Sequence, residues 1–99
     1  MLFRSNIEGE VINKFYDAQD GGIAACVFNP AGFVMGYPAL GAAIEQVSYP
    51  TIEVHISNPA AREAFRHQSV ISGVVRGTIA GLGVDSYLLA LRAIARLLA

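Results

Sequence analysis

Short apolar runs closed by glycine, proline or asparagine, with helix-length segments between them, constrain this chain more than any other feature. Residues 23–28 and 74–79 are the clearest runs, although Arg76 interrupts the second. Residues 51–56 are read as a further strand, and residues 2–4 offer a strand or strand end. A continuous apolar run bounded by turn signals is what a strand buried on both faces requires. Helical segments separate the runs. Ser5-Asn6 offers a cap for a helix to about Gln19, with Val11, Ile12, Phe15 and Tyr16 facing inward and Asp20-Gly21-Gly22 ending it. Asn29-Pro30-Ala31-Gly32 breaks the first long run, and a loop over 33–37 leads to Pro38 as first residue of a helix to about Val47. A short polar helix over 60–66 follows Asn58-Pro59, and Gly81-Leu82-Gly83 turns the chain into an apolar helix over 84–98. Strands alternating with helices predict an α/β fold, a parallel sheet with helices on both faces. At 99 residues the chain (1–99) is read as a single domain.

Composition narrows the function classes. Hydrophobic residues make up 54% and charged residues 15%, against about 45–50% and about 25% in ordinary soluble domains. So small and apolar a chain is expected to hide surface against copies of itself, and the last helix, with Arg92 and Arg96 on one polar edge, is the candidate for burial or an interface. A formal net charge of −1 leaves no basic footprint for nucleic acid and no polybasic membrane patch. No run approaches the ~20 apolar residues of a membrane span, and the N-terminus lacks the apolar core of a signal peptide. A soluble, cytoplasmic protein is the expectation. Cys26 stands alone in an apolar run and reads as a small buried hydrophobe. Two histidines and one cysteine show no metal-ligand spacing, so no metal is expected.

Ligands in open parallel sheets gather at the carboxyl ends of strands. One run ends at Asn29, another in Glu53, His55, Ser57 and Asn58. Side chains alternate along a strand, so Glu53 and His55 share a face. A carboxylate beside an imidazole fixes its tautomer and stabilises its protonated form, which suits a general acid. A structural histidine with a hydrogen-bonding neighbour gives the same pattern. Arg62 and Arg66, four apart, share a helix face that fits a carboxylate or hydroxyl-rich substrate or else plain solvent. The Gly81–Gly83 turn lacks the third glycine and following unit of a dinucleotide fingerprint.

Several of these segments together resemble type II 3-dehydroquinate dehydratase. They are Ser5-Asn6 with Glu8-Gly9-Glu10, Phe28-Asn29-Pro30, the IEVHISN stretch over 52–58, REAFRHQS over 62–69, and the GLG turn followed by YLLAL over 87–91. The resemblance implies a flavodoxin-like three-layer fold that assembles as trimers, packed into dodecamers. It implies cofactor-free anti elimination of water from 3-dehydroquinate, a small-molecule ring substrate, through an enolate. His55 would protonate the leaving hydroxyl, Glu53 would orient His55, and Asn29 would hold the water that stabilises the enolate. The Ile56-Ser57 backbone and the Ser57 hydroxyl would bind the substrate carboxylate. Arg66 would bind a ring hydroxyl, with Arg62 beside it.

The sequence also departs from the family. The family's first strand, first helix and mobile loop, with the Tyr base and an Arg, have no counterpart in these residues. Phe33, Val34, Met35 and Tyr37 fill a loop that is polar in the family; Met35 stands for a substrate-binding His, and Ala42 for an Asp that reaches a neighbouring subunit. Three readings follow: a dehydratase whose base comes from elsewhere; an enzyme that uses the Glu53–His55 acid on a more apolar ring; and a non-catalytic binding or assembly relative. The missing first strand also predicts that residues 2–4 close the gap, that another chain supplies a strand, or that the sheet is rebuilt.

Overall fold

The computed structural model describes residues 2–35, 38–58, 69 and 71–99. Its elements run α1 (Glu8–Asp20), β1 (Cys26–Phe28), a 3-10 turn (Ala31–Met35), α2 (Pro38–Gln46), β2 (Thr51–His55), β3 (Gly77–Ala80) and α3 (Asp85–Leu97). The three strands form one parallel sheet in the order β1-β2-β3. Cys26, Val27 and Phe28 pair with Thr51, Ile52 and Glu53, and residues 52–55 pair with 77–80.

The pleat sorts side chains to two faces. Cys26 and Phe28 point to the face covered by α1 and α2, where Val11, Phe15, Leu40, Ile44, Tyr49 and Ile71 form the larger core. Phe15 meets Phe28 edge-on at 5.2 Å between ring centroids, and the Tyr49 hydroxyl donates to the Phe15 carbonyl at 2.8 Å. Val27, Ile52, Val54 and Ile79 point the other way, where Tyr87, Ala90 and Ile94 of α3 cover them. The expected layers are present: helices pack on both faces of a parallel sheet.

Several boundaries differ from the sequence reading. Residues 2–4 form no strand, and Leu2 is fully exposed. They have no sheet partner, because among the described residues β1 pairs only with β2. The expected strand over 23–28 shortens to Cys26–Phe28. Its ladder opens where the Cys26 amide donates to the Pro50 carbonyl; Pro50 has no N–H to give back, so residues 23–25 stay outside it. The run over 74–79 also starts late. Ile71 is buried and accepts from the Val74 amide in a turn, and the ladder begins only when the Arg76 amide donates to Thr51. Of the loop expected over 33–37, residues 33–35 belong to the 3-10 turn Ala31–Met35, closed by the Phe33 amide on the Pro30 carbonyl. The α1 cap is Ile7, not Ser5 or Asn6. The Ser5 hydroxyl instead brackets the first turn, accepting from the Ile7 amide at 3.0 Å and donating to Glu10 at 2.6 Å. Tyr16 is exposed and donates to Gln46. The helix expected over 60–66 lies outside the described residues.

Candidate functional site

The site begins with β2, the only strand paired on both sides among the described residues. All five of its residues are buried, so its polar side chains need partners inside the protein. Glu53 is 0% exposed and His55 9%. They lie on one face as the spacing required, and His55 Nε2 meets Glu53 Oε2 at 2.6 Å. The other carboxylate oxygen, Oε1, accepts from the Ser72 hydroxyl at 2.8 Å and the Thr78 hydroxyl at 3.0 Å. Three donors thus converge on a group that, ionised, can only accept. With Nε2 turned to Glu53, Nδ1 is the nitrogen left to exchange a proton with a ligand. An imidazole held in this way can act as a general acid.

Backbone contacts fix the height of His55. Its carbonyl accepts from the Gly81 amide at 3.2 Å and the Ser86 hydroxyl at 3.2 Å, and the Gly83 amide donates to the Ile56 carbonyl at 3.0 Å. The end of β2 is therefore tied to the turn that starts α3. Gly81 has φ +85°, and a Cβ there would meet Asn58 Cβ at 3.2 Å, so this position needs glycine.

Asn29 sits at the carboxyl end of β1, beside the end of β2. Its amide nitrogen donates to the Tyr87 hydroxyl at 2.9 Å and its oxygen accepts from the Ala31 amide at 3.1 Å. Ile56 and Ser57 follow β2 on the exposed surface. Arg62, Arg66 and the Met35 side chain lie outside what the structure describes. Phe33 and Val34 do not form an open apolar mouth: Val34 is buried in the larger core and Phe33 packs against it. Ala42 is exposed on α2.

This geometry coincides with a family match. Residues 1–95 match the family described as dehydroquinase class II. The chain belongs to that family. It is 46% identical over 97 residues to a 3-dehydroquinate dehydratase of Caldicellulosiruptor bescii, covering 98% of this chain and 67% of that protein. It is 51% identical over 94 residues to one of Maricaulis maris, covering 94% and 64%. The crystal structure of a type II dehydroquinase from Butyrivibrio crossotus superposes with a TM-score of 0.89 at 39% identity, over 92% of this chain and 63% of that one. One from Propionibacterium acnes gives 0.88 at 44% identity, over 95% and 64%. The chain spans about two thirds of the length of these relatives, and its fold is the family's flavodoxin-like one.

Three residues at the site escaped sequence reasoning: Ser72, Thr78 and Tyr87. A threonine inside an apolar run was a signal for Thr78, but its use depended on the register that sets Thr78 opposite Glu53. Tyr87 lies 58 residues from Asn29, and no local pattern links them.

Proposed function

We propose that this chain serves the dehydration of 3-dehydroquinate, with His55 as the acid that protonates the departing hydroxyl. The observation that carries the reading is the buried contact between His55 Nε2 and Glu53 Oε2, which leaves Nδ1 to the substrate. In the elimination, a base removes the proton next to the ketone and an enolate forms. The carbon–oxygen bond then breaks as Nδ1 delivers its proton to the leaving group, releasing water and the conjugated enone. Asn29, whose amide is fixed by Tyr87 and Ala31, is suited to hold a water against the enolate. The Ile56-Ser57 segment would take the substrate carboxylate, and Arg62 and Arg66 the ring hydroxyls. The base is assigned to none of the residues named here, and assembly as a trimer-based homo-oligomer in the cytoplasm fits the same reading. The alternative of a more apolar ring substrate loses the support of Phe33 and Val34, because Val34 is core and Phe33 packs against that core.

Purified protein incubated with 3-dehydroquinate tests this by the ultraviolet absorbance of the enone. Enone formation is expected, with His55→Ala slowing it by roughly 10²–10⁴-fold, the range for a positioned general acid. The absence of both enone and any perturbation of the His55 resonances by 3-dehydroquinate would overturn it.

A further inference from the structure

We infer that Ser72 and Thr78 are positioning residues: their two hydroxyls clamp Glu53 Oε1 so that Oε2 alone faces His55. This rests on the reading of His55 as the acid. The contacts are Ser72 Oγ to Oε1 at 2.8 Å and Thr78 Oγ1 to Oε1 at 3.0 Å, against 2.6 Å from Oε2 to His55 Nε2. The two donors approach from different parts of the chain. Thr78 is the cross-strand partner of Glu53 on β3. Ser72 belongs to the turn held by Ile71, whose amide and that of Ser72 both donate to Ser69 Oγ at 3.0 and 3.1 Å. A carboxylate can rotate about its last side-chain bond and exchange its two oxygens. Occupying Oε1 from two sides opposes that rotation, and a buried carboxylate oxygen left without a donor costs free energy. The clamp therefore fixes the plane of the carboxylate, the carboxylate fixes which imidazole nitrogen carries the proton, and that choice leaves Nδ1 for the substrate.

The fixed order has a chemical consequence. An imidazole whose Nε2–H is held by Glu53 takes up its second proton on Nδ1 and can give it only from there. If the carboxylate turned away, the neutral ring would populate both tautomers and deliver its proton along either of two directions. A misplacement of about 1 Å is enough to cost on the order of 100-fold in rate. Both hydroxyls are spent on Glu53 Oε1, so their removal should act on turnover more than on binding.

The test uses the full chain with 15N-labelled histidine. Thr78→Val, Ser72→Ala and the double variant are compared with wild type by imidazole 15N shifts at a pH where the ring is neutral. Valine keeps the branched shape and strand preference of threonine, and Thr78→Ser restores a hydroxyl. In wild type the Nε2–H tautomer should dominate. Each single variant should admit some Nδ1–H form, the double variant should give a mixture, and Thr78→Ser should return to the wild-type pattern. The kcat for enone formation should fall about 10-fold in each single variant and about 100-fold in the double, with KM nearly unchanged. Unchanged tautomer shifts in a folded double variant would overturn the inference. If the tautomers shift while wild type neither forms enone nor changes its His55 resonances with 3-dehydroquinate, the clamp stands and the dehydratase reading falls.

Discussion

β1 and β2 lie side by side and each ends in a residue of the site, yet the two strands are built differently. β2 is paired on both sides and buried at all five positions. β1 has three residues, pairs on one side among the described residues, and is only half-buried. The difference teaches where charge can be placed. A doubly paired strand holds its backbone rigidly enough to carry a buried carboxylate and imidazole in contact, with partners brought from β3 and from the turn before it. The end of a half-covered strand instead carries a neutral amide, steadied by one tyrosine and one backbone N–H.

Three substitutions and one reagent can break or sharpen this comparison. The largest stability effect is expected when equivalent valines are shortened. Val54→Ala on β2, at a site with no exposure, should cost about 2–3 kcal/mol from lost burial and the cavity left behind, whereas half-buried Val27→Ala on β1 should cost about 1 kcal/mol. Urea unfolding of both variants measures the gap, and equal losses would mean that β1 is as well enclosed as β2. Next, Tyr87→Phe removes the acceptor of the Asn29 amide without changing the ring. Enone formation should slow by roughly 5–10-fold, in keeping with the ~1 kcal/mol of one hydrogen bond, and a larger loss would give the β1 end more of the chemistry than proposed here. The smallest effect concerns Cys26. Burial pushes its thiol up to about 11, and burial likewise raises the Tyr49 hydroxyl to about 12. Alkylation of Cys26 in the folded protein at neutral pH should therefore be slower than in the unfolded chain. The linked stability has a definite sign. The folded state keeps protons that the unfolded chain releases from about pH 9 upward, so stability present below that pH should decline as pH rises toward 12.

The sequence made some of this legible. Alternation put Glu53 and His55 on one face of the strand read over 51–56. The turn at Gly81–Gly83 was readable because the residues themselves carry the backbone requirement, seen here as φ values of +85° and +61°. Strand ends were not readable, since they depend on which residues have partners. Leu2 and Phe3 are apolar enough for a strand but find none to pair with, and Pro50 denies Ile23–Ala25 a ladder. The Ser72–Glu53–Thr78 clamp was hidden for the same reason. It joins residues 19 and 25 positions apart, through a register fixed only when β2 and β3 pair.

The most direct measurement is the 15N spectrum of His55 as 3-dehydroquinate is titrated into the folded protein. Nε2 should stay protonated throughout and hydrogen-bonded to Glu53, with the Nδ1 resonance moving in proportion to bound 3-dehydroquinate. A free protein with its proton on Nδ1, or an Nδ1 resonance that ignores 3-dehydroquinate, would contradict it.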